Sequence, residues 1–162
     1  MAARTNALKV TTPSDTTILL EREFDAPQKL VWEAVTTPEY IKQWWGRRGS
    51  TLTRCDVDFR VGGEWHFTEK GAEGDEHPFR GEYREIVPTS KIVQTFIYDV
   101  EPFNQHVAVE SYSLIERDGK TVVRTLVEHD SKEARDGHLH SGMEQGAGET
   151  MDRLEELLAK LA

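Results

Sequence analysis

Residues 141–162 constrain the fold of this chain more than any other segment. Apolar side chains recur there at spacings of three and four, which predicts a long helix with one apolar stripe. The stripe consists of Met143, Ala147, Met151, Leu154, Leu158 and Leu161. Gly146 and Gly148 interrupt the first turns, where each glycine costs roughly 1 kcal/mol relative to alanine. Because a helix often accepts that cost to leave space, the pattern predicts a hollow beside it.

Short strand patterns separated by turn signals fill most of the remaining chain. We predict strands over residues 17–24, 52–59, 64–69, 79–87, 92–100, 106–117 and 121–129. Asp118-Gly119 is the clearest hairpin turn, because this dipeptide tolerates the positive φ angles of a type I′ turn. Strands joined by short turns form one antiparallel sheet, which must curl to cover a helix. The sequence therefore predicts an α+β fold, with a curved sheet of about seven strands around the long C-terminal helix.

Two short helices are predicted directly after the first strand. Asp25 is the expected N-cap of the first helix, and Gln28 would complete a capping box. The second helix is expected to begin at Thr37 and to end before Gly46, its C-cap. A solvated turn is predicted just before the terminal helix, at Glu133, Arg135, Asp136 and His138.

Composition and charge exclude several classes of protein. The 162 residues suit one domain, so we predict a flexible tail over residues 1–15 and a single domain over residues 16–162. Cys55 is the only cysteine, which excludes an internal disulfide and suits a reducing, cytoplasmic compartment. No apolar run is long enough to insert into a membrane. The net charge of −9 argues against nucleic acid and anionic membrane surfaces as partners.

Aromatic residues are the main candidates for lining a pocket in such a fold. The candidate ligand-binding residues are Trp32, Trp45, Trp65, Phe67, Tyr83, Thr95, Phe96, Tyr98, Glu110, Tyr112, Met143, Ala147 and Met151. The inward faces of the strands over residues 92–100 and 106–117 stay open, because alternation alone does not say which face is buried. Trp44 and Trp45 either frame the pocket mouth or fill the space beneath the short helices. Filling is favoured for at least one of them.

Glu110 is the one candidate for catalysis. It shares a strand face with Ala108, Tyr112 and Leu114, so an inward orientation would place its carboxyl group in an apolar pocket. Desolvation would then raise its pKa and suit it to general acid or base chemistry. A solvated position, or an ion pair with Arg60, is the simpler alternative.

The sequence predicts neither a metal site nor a cofactor. One cysteine cannot supply a cysteine–histidine cluster with zinc spacing. Asp56, Asp58 and Arg60 alternate on one strand face and are predicted to form surface ion pairs. The chain also has no Gly-x-Ser-x-Gly elbow and no glycine-rich phosphate loop.

Four segments resemble one protein family, and they occur in the family's order. They are DAPQKLVWEAVTTPEYIKQWW at residues 25–45, DFRVGGEW at 58–65, GEYREIVP at 81–88 and GMEQGAGETMDRLEELL at 142–158. Over about residues 17–161 the chain resembles the SRPBCC superfamily, and within it the group named after the activator of heat-shock protein 90 ATPase. The resemblance implies a helix-grip fold, in which a seven-stranded sheet wraps the terminal helix over a ligand cavity.

Two departures from the family pattern bear on the cavity. Arg47 and Arg48 follow the Trp-Trp-Gly segment, where the family often has a proline, so this loop is expected to differ. Ala147 stands where the family often has an aromatic residue, and the smaller side chain is expected to enlarge the cavity.

The resemblance and the residues together predict binding of a small hydrophobic or aromatic molecule in an internal cavity, in a carrier, sequestering or resistance role. An enzyme on the same scaffold is the alternative, cyclase-like or hydrolase-like, with Glu110, Tyr83 and Tyr112 polarising the guest. A chaperone-interaction module is less favoured, because the eukaryotic activator engages its chaperone through a separate N-terminal domain for which we expect no room. The resemblance also allows a homodimer.

Overall fold

The computed structural model describes residues 7–162 and contains, within them, one eight-stranded antiparallel sheet and four helices. The strands are β1 (Lys9–Thr11), β2 (Thr17–Phe24), β3 (Thr51–Val57), β4 (Glu64–Lys70), β5 (Glu76–Val87), β6 (Lys91–Tyr98), β7 (Ala108–Arg117) and β8 (Lys120–Glu128). The helices are α1 (Gln28–Thr36), α2 (Pro38–Trp44), α3 (Lys132–Leu139) and α4 (Met143–Leu161), and a 3₁₀ turn spans Phe103–Gln105. The strand order is β1-β2-β8-β7-β6-β5-β4-β3.

The predicted α+β architecture is confirmed, with one strand more than expected. Strand β1 lies inside the segment predicted to be a flexible tail, and Val10 pairs with Leu20 of β2. Val10 and Leu20 also pack against the same small apolar cluster, which gives this short edge strand a reason to form. The tail prediction is therefore wrong for Lys9–Thr11, and its first six residues lie outside the described part.

The start of α1 differs from the predicted capping box. The helix begins at Gln28 after Pro27, and no side chain of its own segment caps it. Instead the backbone N–H of Gln28 donates to Glu116 Oε1 of β7, at 2.6 Å. A carboxylate far away in the sequence thus satisfies an N-terminal donor that local chemistry leaves open.

The hairpin between β7 and β8 has the predicted turn. Asp118 and Gly119 have φ angles of 55° and 76°, the two positive values that a type I′ turn requires. The turn sets the register of the two strands, with Arg117 opposite Lys120 and Glu110 opposite Val127. It thereby fixes which side chains of β7 reach the interior.

Helix α3 replaces the solvated turn predicted before the terminal helix. Ser131 Oγ accepts a hydrogen bond from the N–H of Ala134, which caps the helix. Arg135 is buried, and its Nη1 donates to the carbonyls of Ser14 and Thr17, at 2.7 and 3.2 Å. The polar sequence did not predict this helix, because the carbonyl groups that allow Arg135 to be buried lie near the other end of the chain.

Helix α4 closes the concave side of the sheet. Leu154, Leu157 and Leu158 are its buried residues, so the predicted stripe is confirmed at two positions and Leu157 is added. Arg22 of β2 ties the helix to the sheet, with ion pairs to Asp152 at 2.7 Å and Glu155 at 2.8 Å. The main apolar core lies between this helix, α1, α2 and the sheet.

Candidate functional site

A cavity of about 70 Å³ remains between the inner face of the sheet and helices α1, α2 and α4. Its wall is mostly aromatic and aliphatic. Six of the predicted ligand-binding residues line it: Trp45, Trp65, Phe67, Tyr83, Tyr112 and Met151. The volume is enough for several water molecules, since one water needs about 10–15 Å³ measured in this way.

Polar side chains cross the inner face of the sheet in one row. Tyr83 of β5 lies opposite Gln94 of β6, and Gln94 lies opposite Glu110 of β7. Tyr112, two residues beyond Glu110, lies on the same face. These four side chains, Tyr83, Gln94, Glu110 and Tyr112, are called the polar row below. Three of them line the cavity, and Glu110 lies behind the wall.

Glu110 is the centre of the polar row. Its Oε1 accepts hydrogen bonds from the Tyr112 hydroxyl at 3.0 Å and from Gln94 Nε2 at 3.2 Å. Burial raises the pKa of Glu110 to about 7, although both hydrogen bonds favour the charged form. The inward orientation considered from the sequence is therefore correct. The ion pair with Arg60 is absent, because Arg60 pairs with Asp58 at the surface.

The two tyrosines of the polar row differ in their partners. Burial raises the pKa of Tyr112 well above its usual value, and Glu110 adds to the shift because its charge lies next to the phenol. Burial also raises the pKa of Tyr83, but its hydroxyl makes no hydrogen bond to any residue in the described range 7–162. Tyr83 is only 5% exposed and lines the cavity. A residue of the cavity wall therefore carries a hydroxyl that makes no hydrogen bond within residues 7–162.

Trp44 and Trp45 have separate roles. Trp44 is buried, and its Nε1 donates to the carbonyl of Ala34 at 2.9 Å, so it joins α2 to α1. This confirms that one of the two tryptophans fills space beneath the short helices. Trp45 covers the cavity from the end of α2, with its ring edge-on to Phe67 at 5.1 Å and to Phe79 at 5.2 Å.

The loop that follows Trp45 is held against helix α4. Arg153 of α4 donates to the carbonyls of Gln43, Gly46 and Arg47, each at 3.1 Å. Thr150 also donates to Gly46 O, at 2.9 Å. These bonds satisfy the carbonyls at the C-terminal end of α2 and fix Trp45 over the cavity.

A separate depression of about 90 Å³ lies on the outer surface between α2 and α4. Gln43, Arg48, Arg153 and Glu156 contribute to it. Arg48 forms a bidentate ion pair with Glu156, and Arg153 is used by the loop carbonyls. Arg48, Arg153 and Glu156 are thus already partnered within the protein.

Trp32 and Phe96 were predicted to bind ligand but do not line the cavity. Trp32 lies edge-on to Phe59, with ring centroids 5.9 Å apart. Phe96 faces inwards but packs behind the wall, against Trp65 at 5.9 Å and Phe79 at 5.3 Å. Both complete the aromatic core instead.

Thr95 and Tyr98 are also away from the cavity wall. Thr95 has the opposite strand parity from Gln94, and its hydroxyl accepts a hydrogen bond from the backbone N–H of Glu82 at 2.8 Å, beside a β-bulge. The Tyr98 hydroxyl is bonded to His77 Nδ1 at 2.8 Å. Each therefore has a structural partner outside the cavity.

Met143 and Ala147 belong to the start of α4, which does not reach the cavity. Met143 packs against a second, smaller cluster that includes Ile18 and Val127. Ala147 is half-buried one turn before Met151. Ala147 is not part of the cavity wall, and the expected enlargement relative to an aromatic residue stays a prediction.

Sequence reasoning missed several wall residues. The polar ones are Gln94 and Thr125, and the apolar ones include Val35, Ile41, Val123 and Leu154. From the sequence, Gln94 belonged to one of two faces of its strand, and either face could have pointed inwards. The register that pairs it with both Tyr83 and Glu110 is a long-range property, and no local pattern carries it.

A curved antiparallel sheet closed by a long C-terminal helix, with a cavity between them, defines a helix-grip protein. The family model described as activator of Hsp90 ATPase homolog 1-like protein matches residues 25–159. The chain therefore belongs to this family, as the resemblance implied.

Solved structures of the same fold support this assignment. A protein from Rhodobacter sphaeroides is 24% identical, with 96% of this chain and 99% of that chain covered at a TM-score of 0.86. A protein from Nitrosomonas europaea is 28% identical, with 93% and 98% covered at a TM-score of 0.80. A protein from Mycobacterium smegmatis is 25% identical, with 94% and 96% covered at 0.83. A comparison with curated proteins found no match.

Two kinds of feature are missing from the described residues. None of their helices combines the length and apolar character needed to cross a bilayer. Within residues 7–162, no three side chains of histidine, cysteine, aspartate or glutamate converge as metal ligands would.

Proposed function

We propose that this protein binds a small, largely apolar molecule in the cavity between the sheet and α4. The observation that carries the proposal is an aromatic wall that includes Tyr83, whose hydroxyl has no hydrogen bond within residues 7–162. Ligand sites in proteins are typically apolar concavities with a few polar groups that orient the guest. The fold assignment supports the proposal, since this architecture commonly encloses hydrophobic ligands.

The size of the cavity limits the guest. An engineered cavity of about 150 Å³ holds benzene, and about 70 Å³ is half of that. The guest is therefore a molecule of few heavy atoms, or the wall moves when it binds. Met151 is the wall residue best suited to move, because its unbranched side chain is flexible and only partly buried.

Ligand-induced changes in NMR spectra and in Tm test the proposal, with toluene and phenol as probes. A ligand that binds only the folded state raises stability by RT ln(1 + [L]/Kd). We expect saturable shifts for residues of the cavity wall. The same titrations with Met151→Ala protein, whose cavity is larger, remove guest size as an obstacle. Failure of both probes with both proteins would contradict the proposal.

A filled-cavity variant provides the matched control. Val123 lines the cavity, whereas Leu126 lies on the opposite face of the same strand. Val123→Phe should abolish binding, and Leu126→Phe should leave it intact. Overpacking at Val123 is expected to cost about 1–3 kcal/mol, so folding of both variants is checked by circular dichroism first.

An enzyme on the same scaffold is the second candidate, because the pKa of Glu110 is raised to about 7 and its carboxyl group lies one hydrogen bond behind the wall. A general acid or base works best with a pKa near the operating pH. Glu110→Gln should then eliminate turnover of a bound substrate while its binding is retained. Turnover that survives this substitution would reject Glu110 as the catalytic group.

A further inference from the structure

Resting on the proposed function, we infer that the guest carries a neutral hydroxyl group, as small alcohols and phenols do, and that the polar row recognises it. The donors and acceptors that the polar row leaves unused select this class of ligand. The aromatic wall alone does not select it.

The hydrogen bonds to Glu110 decide what the neighbouring side chains can offer. Gln94 uses one of its two Nε2 hydrogens on Glu110, so its Oε1 remains as an acceptor beside a second N–H. Tyr112 uses its O–H on the same carboxylate oxygen, so its hydroxyl oxygen also remains as an acceptor. Glu110 therefore fixes both side chains with acceptors available at the cavity wall.

Tyr83 supplies the complementary donor. Its O–H has no partner among residues 7–162, and the cross-strand register places the residue directly opposite Gln94. Tyr83 and Tyr112 also line the same cavity. A guest that accepts from Tyr83 and donates to Gln94 or Tyr112 pairs the Tyr83 donor and one of the two acceptors. A hydroxyl group does both, whereas a carbonyl only accepts and an ammonium only donates.

The charge of the site favours a neutral guest. No lysine, arginine or histidine is found among the wall residues of the described chain, so a carboxylate would lose its hydration without gaining a cation. Glu110 behind the wall adds repulsion when it is ionised. An anion such as benzoate should therefore bind more weakly than phenol.

Competition between three probes that share a benzene ring tests the inference. Calorimetric or NMR titrations at neutral pH compare phenol, toluene and benzoate in the wild type and in Met151→Ala protein. We expect phenol to bind at least tenfold more tightly than toluene, because a site with buried polar groups discriminates against a guest that leaves them unpaired. Tyr83→Phe should reduce this preference at least threefold.

Tyr98→Phe is the matched control, because its hydroxyl is bonded to His77 outside the cavity. The phenol preference should be unchanged in that variant. Equal affinity for toluene and phenol would overturn the hydroxyl inference and leave the proposed function standing. Tighter binding of benzoate than of phenol, or an unchanged preference in Tyr83→Phe, would also overturn it. Absence of binding by all probes would overturn the proposed function itself.

Discussion

Two polar clusters in different parts of the molecule look alike in their electrostatics and differ in their hydrogen bonds. The first is the polar row around Glu110. The second, called the histidine pair, is His129, just after β8, and His138 of α3, whose Nε2 and Nδ1 atoms are 2.9 Å apart. Burial raises the pKa of Glu110 to about 7 and lowers that of His138 to about 4. Perturbed titration alone would mark both as functional sites.

The hydrogen bonds separate the two clusters. His129 Nδ1 donates to the carbonyl of Thr16, at 3.2 Å, so its Nε2 is left to accept the Nδ1–H of His138. Arg135 beside them is bonded to backbone carbonyls. Both ring nitrogens of His129 are thus bonded within the protein, whereas the polar row leaves the Tyr83 hydroxyl without a bond to residues 7–162 on the wall of a cavity. The comparison indicates that a hydroxyl group without a hydrogen bond on a cavity wall distinguishes the candidate site here, whereas a shifted pKa does not.

The largest expected effect on the unfolding free energy comes from replacing one leucine by alanine in each of the two regions. Leu154 of α4 is 1% exposed and lines the cavity, whereas Leu139 of α3 only partly covers the cluster near the histidine pair. Leu154→Ala should cost about 3–4 kcal/mol of unfolding free energy, and Leu139→Ala about 1–2 kcal/mol. Denaturant titrations measure both. Equal costs would mean that the two regions are packed alike.

The second effect is the pH dependence contributed by Glu110. Its folded-state pKa is raised from 4.5 to about 7, so the folded state holds a proton that the unfolded state has lost. Stability from this group is present below pH 4.5 and lost as the pH rises through 7, by about 3 kcal/mol. Relative to the wild type, Glu110→Gln should gain that amount between pH 4.5 and 8. Glu128→Gln, at an exposed position on β8, is the control and should show no such gain.

The third effect has the opposite sign and comes from the histidine pair. The pKa of His138 is lowered from 6.5 to about 4. Between these pH values the residue is therefore protonated in the unfolded state and neutral in the folded state. Stability should fall by about 2–3 kcal/mol as the pH drops from 6.5 to 4. His138→Gln should remove this loss when unfolding curves are compared with the wild type across that range. A loss of the same size in both proteins would show that His138 is already protonated in the folded state.

These two slopes overlap between pH 4.5 and 6.5, where they oppose each other. The wild type should therefore show little net dependence from the two groups, and each substitution should expose the other slope. The double variant should restore the flat profile, because the clusters have no hydrogen bond in common and their effects should add.

The sequence predicted most of the fold because those features are local. Alternation located the strands, Asp118-Gly119 located the hairpin, and the stripe located α4. The features that were missed have distant partners. The backbone N–H of Gln28 at the start of α1 is bonded to Glu116 of β7. Arg135 holds α3 in place through a hydrogen bond to the backbone carbonyl of Ser14.

The candidate site follows the same division. The inward faces of β4 and β5 could be anticipated from their aromatic residues, and Tyr83 was therefore found. The orientation of Gln94 could not be assigned, because each face of its strand carries both apolar and polar residues. Only pairing with Tyr83 on one side and Glu110 on the other places it at the cavity. Register across three strands is a tertiary property, which one segment does not encode.

The smallest effect is the most specific test of the unused hydroxyl. Three Tyr→Phe substitutions remove one oxygen each and keep the ring. Tyr112→Phe should cost about 1.5–3 kcal/mol, because it removes a bond to the buried carboxyl group of Glu110. Tyr98→Phe should cost about 1 kcal/mol, through loss of the bond to His77. Tyr83→Phe should change the unfolding free energy by less than about 0.5 kcal/mol or stabilise the protein, because its hydroxyl has no hydrogen bond within residues 7–162 to lose. Thermal unfolding without ligand ranks the three, and a cost at Tyr83 as large as that at Tyr98 would mean that its hydroxyl is already satisfied and not available to a guest.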